Sequence, residues 1–92
     1  MSFPIYQFDR IYGKVVEKTA AKETAQCFLL VPERWYPKGQ RIFKLTQDGD
    51  WHDDRTRAVK DGIDYLTRQI ASYKERMDKA TSQLLNLNKE LP

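Results

Sequence analysis

Cysteine and histidine each occur once in the 92 residues, and glycine and proline four times each. A single cysteine, Cys27, makes no internal disulfide, which fits a reducing compartment. The only histidine, His52, stands twenty-five residues from Cys27 with no recognisable motif between them. No nucleophile, base and orienting group can be assembled from this set. Glycine-rich phosphate loops and metal-ligand spacings are absent as well. The longest uninterrupted apolar run is Cys27 to Val31, far short of the roughly 20 residues that a membrane span needs. The first twenty residues include Gln7, Asp9, Arg10 and Lys14, so no signal-peptide apolar stretch is read there. These absences predict a non-enzymatic cytoplasmic protein without metal, cofactor or membrane, whose function lies in a surface.

The composition is that of an ordinary single domain spanning 1–92, with 40% hydrophobic and 32% charged residues. The net charge of +3 is unevenly placed. Residues 1–45 carry eight basic and four acidic groups, a surplus of four, whereas 46–92 carry eight basic and nine acidic groups. The N-terminal half is therefore the one suited to anionic partners.

Residues 3–53 are rich in aromatic and β-branched side chains, interrupted by glycine and proline. Segment 3–17 reads as one bent strand or two short ones, with Gly13 at a bulge or close approach. Cys27–Val31 is an apolar strand stopped by Pro32, and Gln40–Thr46 is strand-like. Tyr36-Pro37-Lys38-Gly39 and Asp48-Gly49 are turns, and 50–52 fits a short last strand. The alanines of 18–26 favour a short helix, with a hairpin arm as the alternative.

Residues 54–91 are helical in pattern, and Asp53 or Asp54 caps the start. Val59, Ile63, Leu66, Ile70, Tyr73, Met77, Ala80, Leu84, Leu87 and Leu91 follow one another at intervals of four and three, which places them on one helix face. Gly62 is the weak point of this helix. The same spacing fits a coiled coil. A parallel homodimer, however, would set Gln69 against Lys74, Arg76 against Thr81 and Gln83 against Asn88, with no attractive ion pair. The stripe is therefore expected mainly to cover its own sheet, which makes Leu66 and Ile70 core residues. A partner helix on the C-terminal half is the alternative. A helix near 50 Å overhangs strands of roughly 17–20 Å, so Leu84, Leu87 and Leu91 are candidate interface residues, a homodimer through 59–91 included. The fold class is α+β: a small antiparallel sheet of three or four strands covered by one long C-terminal helix.

Two further clusters bear on function. Asp48-Gly49-Asp50-Trp51-His52-Asp53-Asp54 has the flavour of a metal loop, but positions six and twelve of a calcium loop would be Asp53 and Val59. It is read as a turn and an acidic helix start. Segment 33–44 carries Arg34, Lys38, Arg41 and Lys44 against Glu33, interleaved with Trp35, Tyr36 and Phe43. Cations contact phosphates or carboxylates, and aromatic rings stack on bases or fill pockets. Arg55 and Arg57 beside Trp51 form a smaller version.

In format the chain is similar to small phage-encoded anti-CRISPR proteins, in particular those acting on type I RNA-guided surveillance complexes. It shares their short length, lack of enzyme motifs, small sheet, long helix and charged surface. That family has no common motif, so the resemblance carries over no residue. It implies a stoichiometric inhibitor in the host bacterial cytoplasm that occupies Cas subunits, sometimes touching guide RNA, and blocks target-DNA binding. Arg34, Lys38, Arg41 and Lys44 would then meet phosphates. The alternatives are a direct DNA- or RNA-binding regulator and a coiled-coil structural protein.

Overall fold

The computed structural model describes residues 1–92. Five strands precede one helix: β1 (Phe3–Asp9), β2 (Lys14–Glu23), β3 (Cys27–Leu30), β4 (Arg41–Phe43), β5 (Trp51–His52) and α1 (Arg55–Asn88). The strands form one antiparallel sheet in the order β4-β3-β2-β1-β5.

Strand alternation sorts the side chains. Phe3, Ile5 and Gln7 of β1 lie opposite Ala20, Lys18 and Val16 of β2, so these positions share one face. The core forms on that face from Ile5, Ala20, Phe28, Leu30 and Trp51, with Phe3, Val16 and Ile42 packed against it. The sheet curls around this core. A register shift between Ala20 and Lys22 bends β2, so its first part pairs with β1 and its last part with β3. Lys44, just after β4, donates its N–H to the Gln26 carbonyl and accepts one from Trp51. That second bond draws the β4 edge toward β5.

This arrangement corrects the reading of 18–26. Residues 18–23 continue β2 and form no helix. Nine residues hold a helix weakly, whereas here the strand gains ladder bonds on both sides and buries Ala20 completely. Five strands form where three or four were expected, because the two-residue β5 is long enough to pair with Tyr6 and Gln7.

The helix begins at Asp54, whose carboxylate accepts the Thr56 N–H at 2.9 Å, the cap expected of that residue. It continues unbroken through Gly62. Gly62 is a contact point: its backbone lies against the Phe8 ring, and an added Cβ would stand 2.5 Å from Phe8 Cδ1. Ala58 and Gly62 are the only buried residues of α1. Tyr65 extends the contact, its ring 6.1 Å from that of Phe8.

The stripe does not cover the sheet. Ala58, Gly62 and Tyr65 each precede a stripe residue by one position, which turns the packed face about 100° from the stripe. Small residues let helix and strand backbones approach, and a row of Leu, Ile, Tyr and Met would hold them apart. Leu66 and Ile70 are accordingly 46% and 67% exposed and are not core. Every helix residue from Tyr73 onward is exposed, so the overhang begins well before Leu84, and the molecule measures 73 × 26 × 20 Å. No helix is long and apolar enough to cross a membrane.

Candidate functional site

The β3–β4 connection, Val31 to Gln40, carries four of the eight basic and aromatic candidates: Arg34, Trp35, Tyr36 and Lys38. Pro32 and Pro37 remove two ladder donors, and the loop closes on itself instead. Glu33 and Tyr36 exchange backbone hydrogen bonds at 3.0 Å in both directions, and Gly39 N–H donates to the Tyr36 carbonyl. Gly39 has φ of 82°, and a Cβ there would lie 2.6 Å from the Leu30 carbonyl oxygen, so glycine is needed at this return to the sheet.

Such a turn puts Arg34 and Trp35 at its tip. Trp35 is 80% exposed, with the Arg34 guanidinium 5.7 Å from its ring centroid. Tyr36, Lys38 and Arg41 are exposed too. Four cationic or aromatic side chains thus stand in solvent on one short connection, with Arg41 following on edge strand β4.

Lys44 differs. Its Nζ lies 2.5 Å from Glu23 Oε2 and 5.0 Å from the Phe28 ring centroid, and its side chain is mostly covered. It fastens the β4 end to the β2 end and is not part of the open basic surface. Arg55 and Arg57 are exposed in the first turn of α1, which contains no acid, so they add to the positive end of the helix dipole. Trp51 is buried beneath the sheet curl, so the expected Trp51–arginine patch is reduced to its arginines. Leu84 and Leu87 are exposed at the far end of the helix, and Leu91 is exposed just beyond it, outside the helix.

The acidic segment 48–54 serves local structure. Asp50 accepts the Thr46 N–H, Asp54 caps the helix and the Asp48 carbonyl accepts the Arg10 N–H. His52 pairs with Asp61 across β5 and α1. No three His, Cys, Asp or Glu side chains gather to hold a metal. Cys27 is buried at the start of β3.

Outside the helix, sequence reasoning missed three exposed apolar side chains: Ile11, Tyr12 and Leu45. Ile11 and Tyr12, read as strand, stand at the β1–β2 turn, 67% and 74% exposed. Their N–H groups donate to Asp9 Oδ1, and Gly13 closes the turn at φ of 70°. Asp9 followed by Gly13 was the available signal. Phe43 and Leu45 flank a shallow groove of about 410 Å³ with Ala25 and Gln26. A further apolar cup of about 200 Å³ lies between that turn and the helix, bounded by Phe8, Val15, Val59, Ile63 and Leu66.

No family model, no curated protein and no solved structure matches the chain.

Proposed function

We propose that the protein is a non-enzymatic inhibitor or adaptor that binds a protein or ribonucleoprotein complex in the bacterial cytoplasm. The observation that carries this reading is the β3–β4 turn tip, where Trp35 stands in solvent beside Arg34. A soluble protein normally buries most of a tryptophan, and tryptophan with arginine is the pair most often found at the centre of binding interfaces. Lys38 and Arg41 extend the cationic character along the same connection, so the surface favours carboxylates or phosphates. Suppression of a type I RNA-guided complex, with contacts to Cas subunits and guide RNA, is the specific form implied by the anti-CRISPR resemblance.

The test is phage plaquing on a bacterium with an active type I system. Expression of the chain should restore plaquing, and the Arg34→Glu/Lys38→Glu/Arg41→Glu variant should not. Restriction of the phage unchanged by the wild-type chain overturns the anti-CRISPR form. The broader reading is tested by affinity capture from lysate with and without ribonuclease. A partner retained by the wild type and lost by the triple variant supports it, and identical capture by both overturns it. Salt-dependent binding to naked RNA or DNA with no protein captured would favour the nucleic-acid regulator instead.

A further inference from the structure

The free face of α1 is the largest feature that the basic loop does not account for. From Tyr73 to Asn88 every residue of the helix is exposed, with Tyr73, Met77, Leu84 and Leu87 at 59–64% each. In proteins most of a helix's stability comes from packing of its apolar face. A continuous stripe at four-three spacing is filled best by another helix of the same period.

We propose that the occupant is a second copy of this chain, paired antiparallel over Leu66 to Asn88. In the favoured register Ile70 faces Leu87, Tyr73 faces Leu84 and Met77 faces Ala80 of the second copy, while Leu91, past the helix end at Asn88, comes near Leu66. Every layer then matches a large residue with a complementary one, and the small Ala80 is filled by flexible Met77. In a parallel pair Ala80 would meet Ala80 and Tyr73 would meet Tyr73, leaving one layer thin and another overfilled.

The flanking charges also permit this register. Lys74 lies beside Thr81 and Arg76 beside Gln83, with no like pair. Sliding by one heptad to a fuller overlap would set Lys74 against Lys74 and Arg76 against Arg76. It would also drive each C-terminus alongside the strands. In the favoured register Leu91 of one copy instead reaches Leu66 of the other, at the rim of the apolar cup formed by Phe8, Val15 and Ile63.

The area is sufficient. Covering six large side chains per helix removes about 100 Å² each, on the order of 1,200 Å² for the pair, at the lower end of the range of stable interfaces. The two sheets would sit at opposite ends of a rod, leaving both β3–β4 loops free. Self-association is therefore independent of what those loops bind.

Sedimentation equilibrium of the full chain from about 1 to 100 µM should give a dimer. Leu84→Glu/Leu87→Glu should raise its Kd at least ~100-fold, with the buried Trp51 fluorescence retained as evidence of an intact sheet. Leu85→Glu, which lies off the seam, should leave the dimer unchanged. Orientation is read from a spin label on Lys89→Cys in a Cys27→Ala background. The antiparallel register places the labels about 30 Å apart along the axis, whereas a parallel pair would hold them within about 20 Å. A helical monomer throughout that concentration range, equal effects of the Leu84/Leu87 and Leu85 changes, or the shorter label distance would overturn the proposal.

Discussion

Gly62 and Phe8 meet where the helix crosses the sheet: a Cβ on Gly62 would stand 2.5 Å from Phe8 Cδ1 and 2.8 Å from Cγ. Phe8 is itself buried, so the ring cannot swing into solvent without losing its packing. Two effects oppose each other at this position. Alanine favours the helix by about 1 kcal/mol over glycine, and overpacking costs about 1–3 kcal/mol. The clash involves ring atoms of a held side chain and should win. Gly62→Ala is expected to destabilise the protein by roughly 1 kcal/mol, read from the urea midpoint. A more stable variant would mean that the ring yields freely.

The exposed stripe reverses the ordinary expectation for a large aliphatic residue. Ile70 is 67% exposed and Phe28 only 2% exposed. At concentrations below those at which the proposed dimer forms, Ile70→Ala should change stability by less than about 0.5 kcal/mol. Phe28→Ala should cost ~3–5 kcal/mol, since it removes the centre of the core. Denaturation at submicromolar protein followed by Trp51 emission separates the two.

The contrast explains how much of the molecule was legible beforehand. Periodicity identified the residues sharing the helix face, but it carries no information about what covers that face. The contact is made by Ala58 and Gly62, whose small side chains give no hydrophobic signal. The strand Cys27–Leu30 and the cap Asp54 were legible because their signals are local. Residues 18–23 were ambiguous because their pairing with β1 and β3 is not local. The loop tip Arg34–Trp35 follows from Pro37 and Gly39, whereas the covering of Lys44 depends on Glu23, which lies twenty-one residues away.

Gln7 ties β1 to the turn before β5. Its Nε2 donates to the Gly49 carbonyl at 2.8 Å, and Gln7 is 7% exposed. Gly49 has φ of 132°, and a Cβ there would lie 2.1 Å from the Phe8 carbonyl oxygen. The turn therefore packs directly on the strand. Gln7→Leu removes the donor, but the Thr46 hydroxyl still donates to Gly49, so the carbonyl keeps one partner. The loss should be about 1–2 kcal/mol, with faster amide exchange at Arg10 and Gly49. Unchanged exchange there would show that Thr46 alone holds the turn.

The basic candidates divide into two classes that charge reversal distinguishes. Arg34, Lys38 and Arg41 are exposed and make no salt bridge to an acid. Reversing all three should leave stability within about 1 kcal/mol, because isolated exposed charges contribute little. Lys44 touches Glu23 and lies over Phe28. Lys44→Glu loses both contacts and sets two carboxylates together, so it should cost about 1–2 kcal/mol even though Glu23 is partly solvated. Binding should follow the opposite order: the triple variant loses partner affinity, and Lys44→Glu retains it once folding is corrected for. Trp35→Ala belongs with the triple variant. It removes an 80% exposed ring and should leave the urea midpoint unchanged while weakening capture. The remaining fluorescence should come from buried Trp51 and be poorly quenched by acrylamide. A Trp35→Ala protein that unfolds early would instead place the loop in the core, and a Lys44→Glu protein that is stable yet unable to bind would return Lys44 to the binding surface.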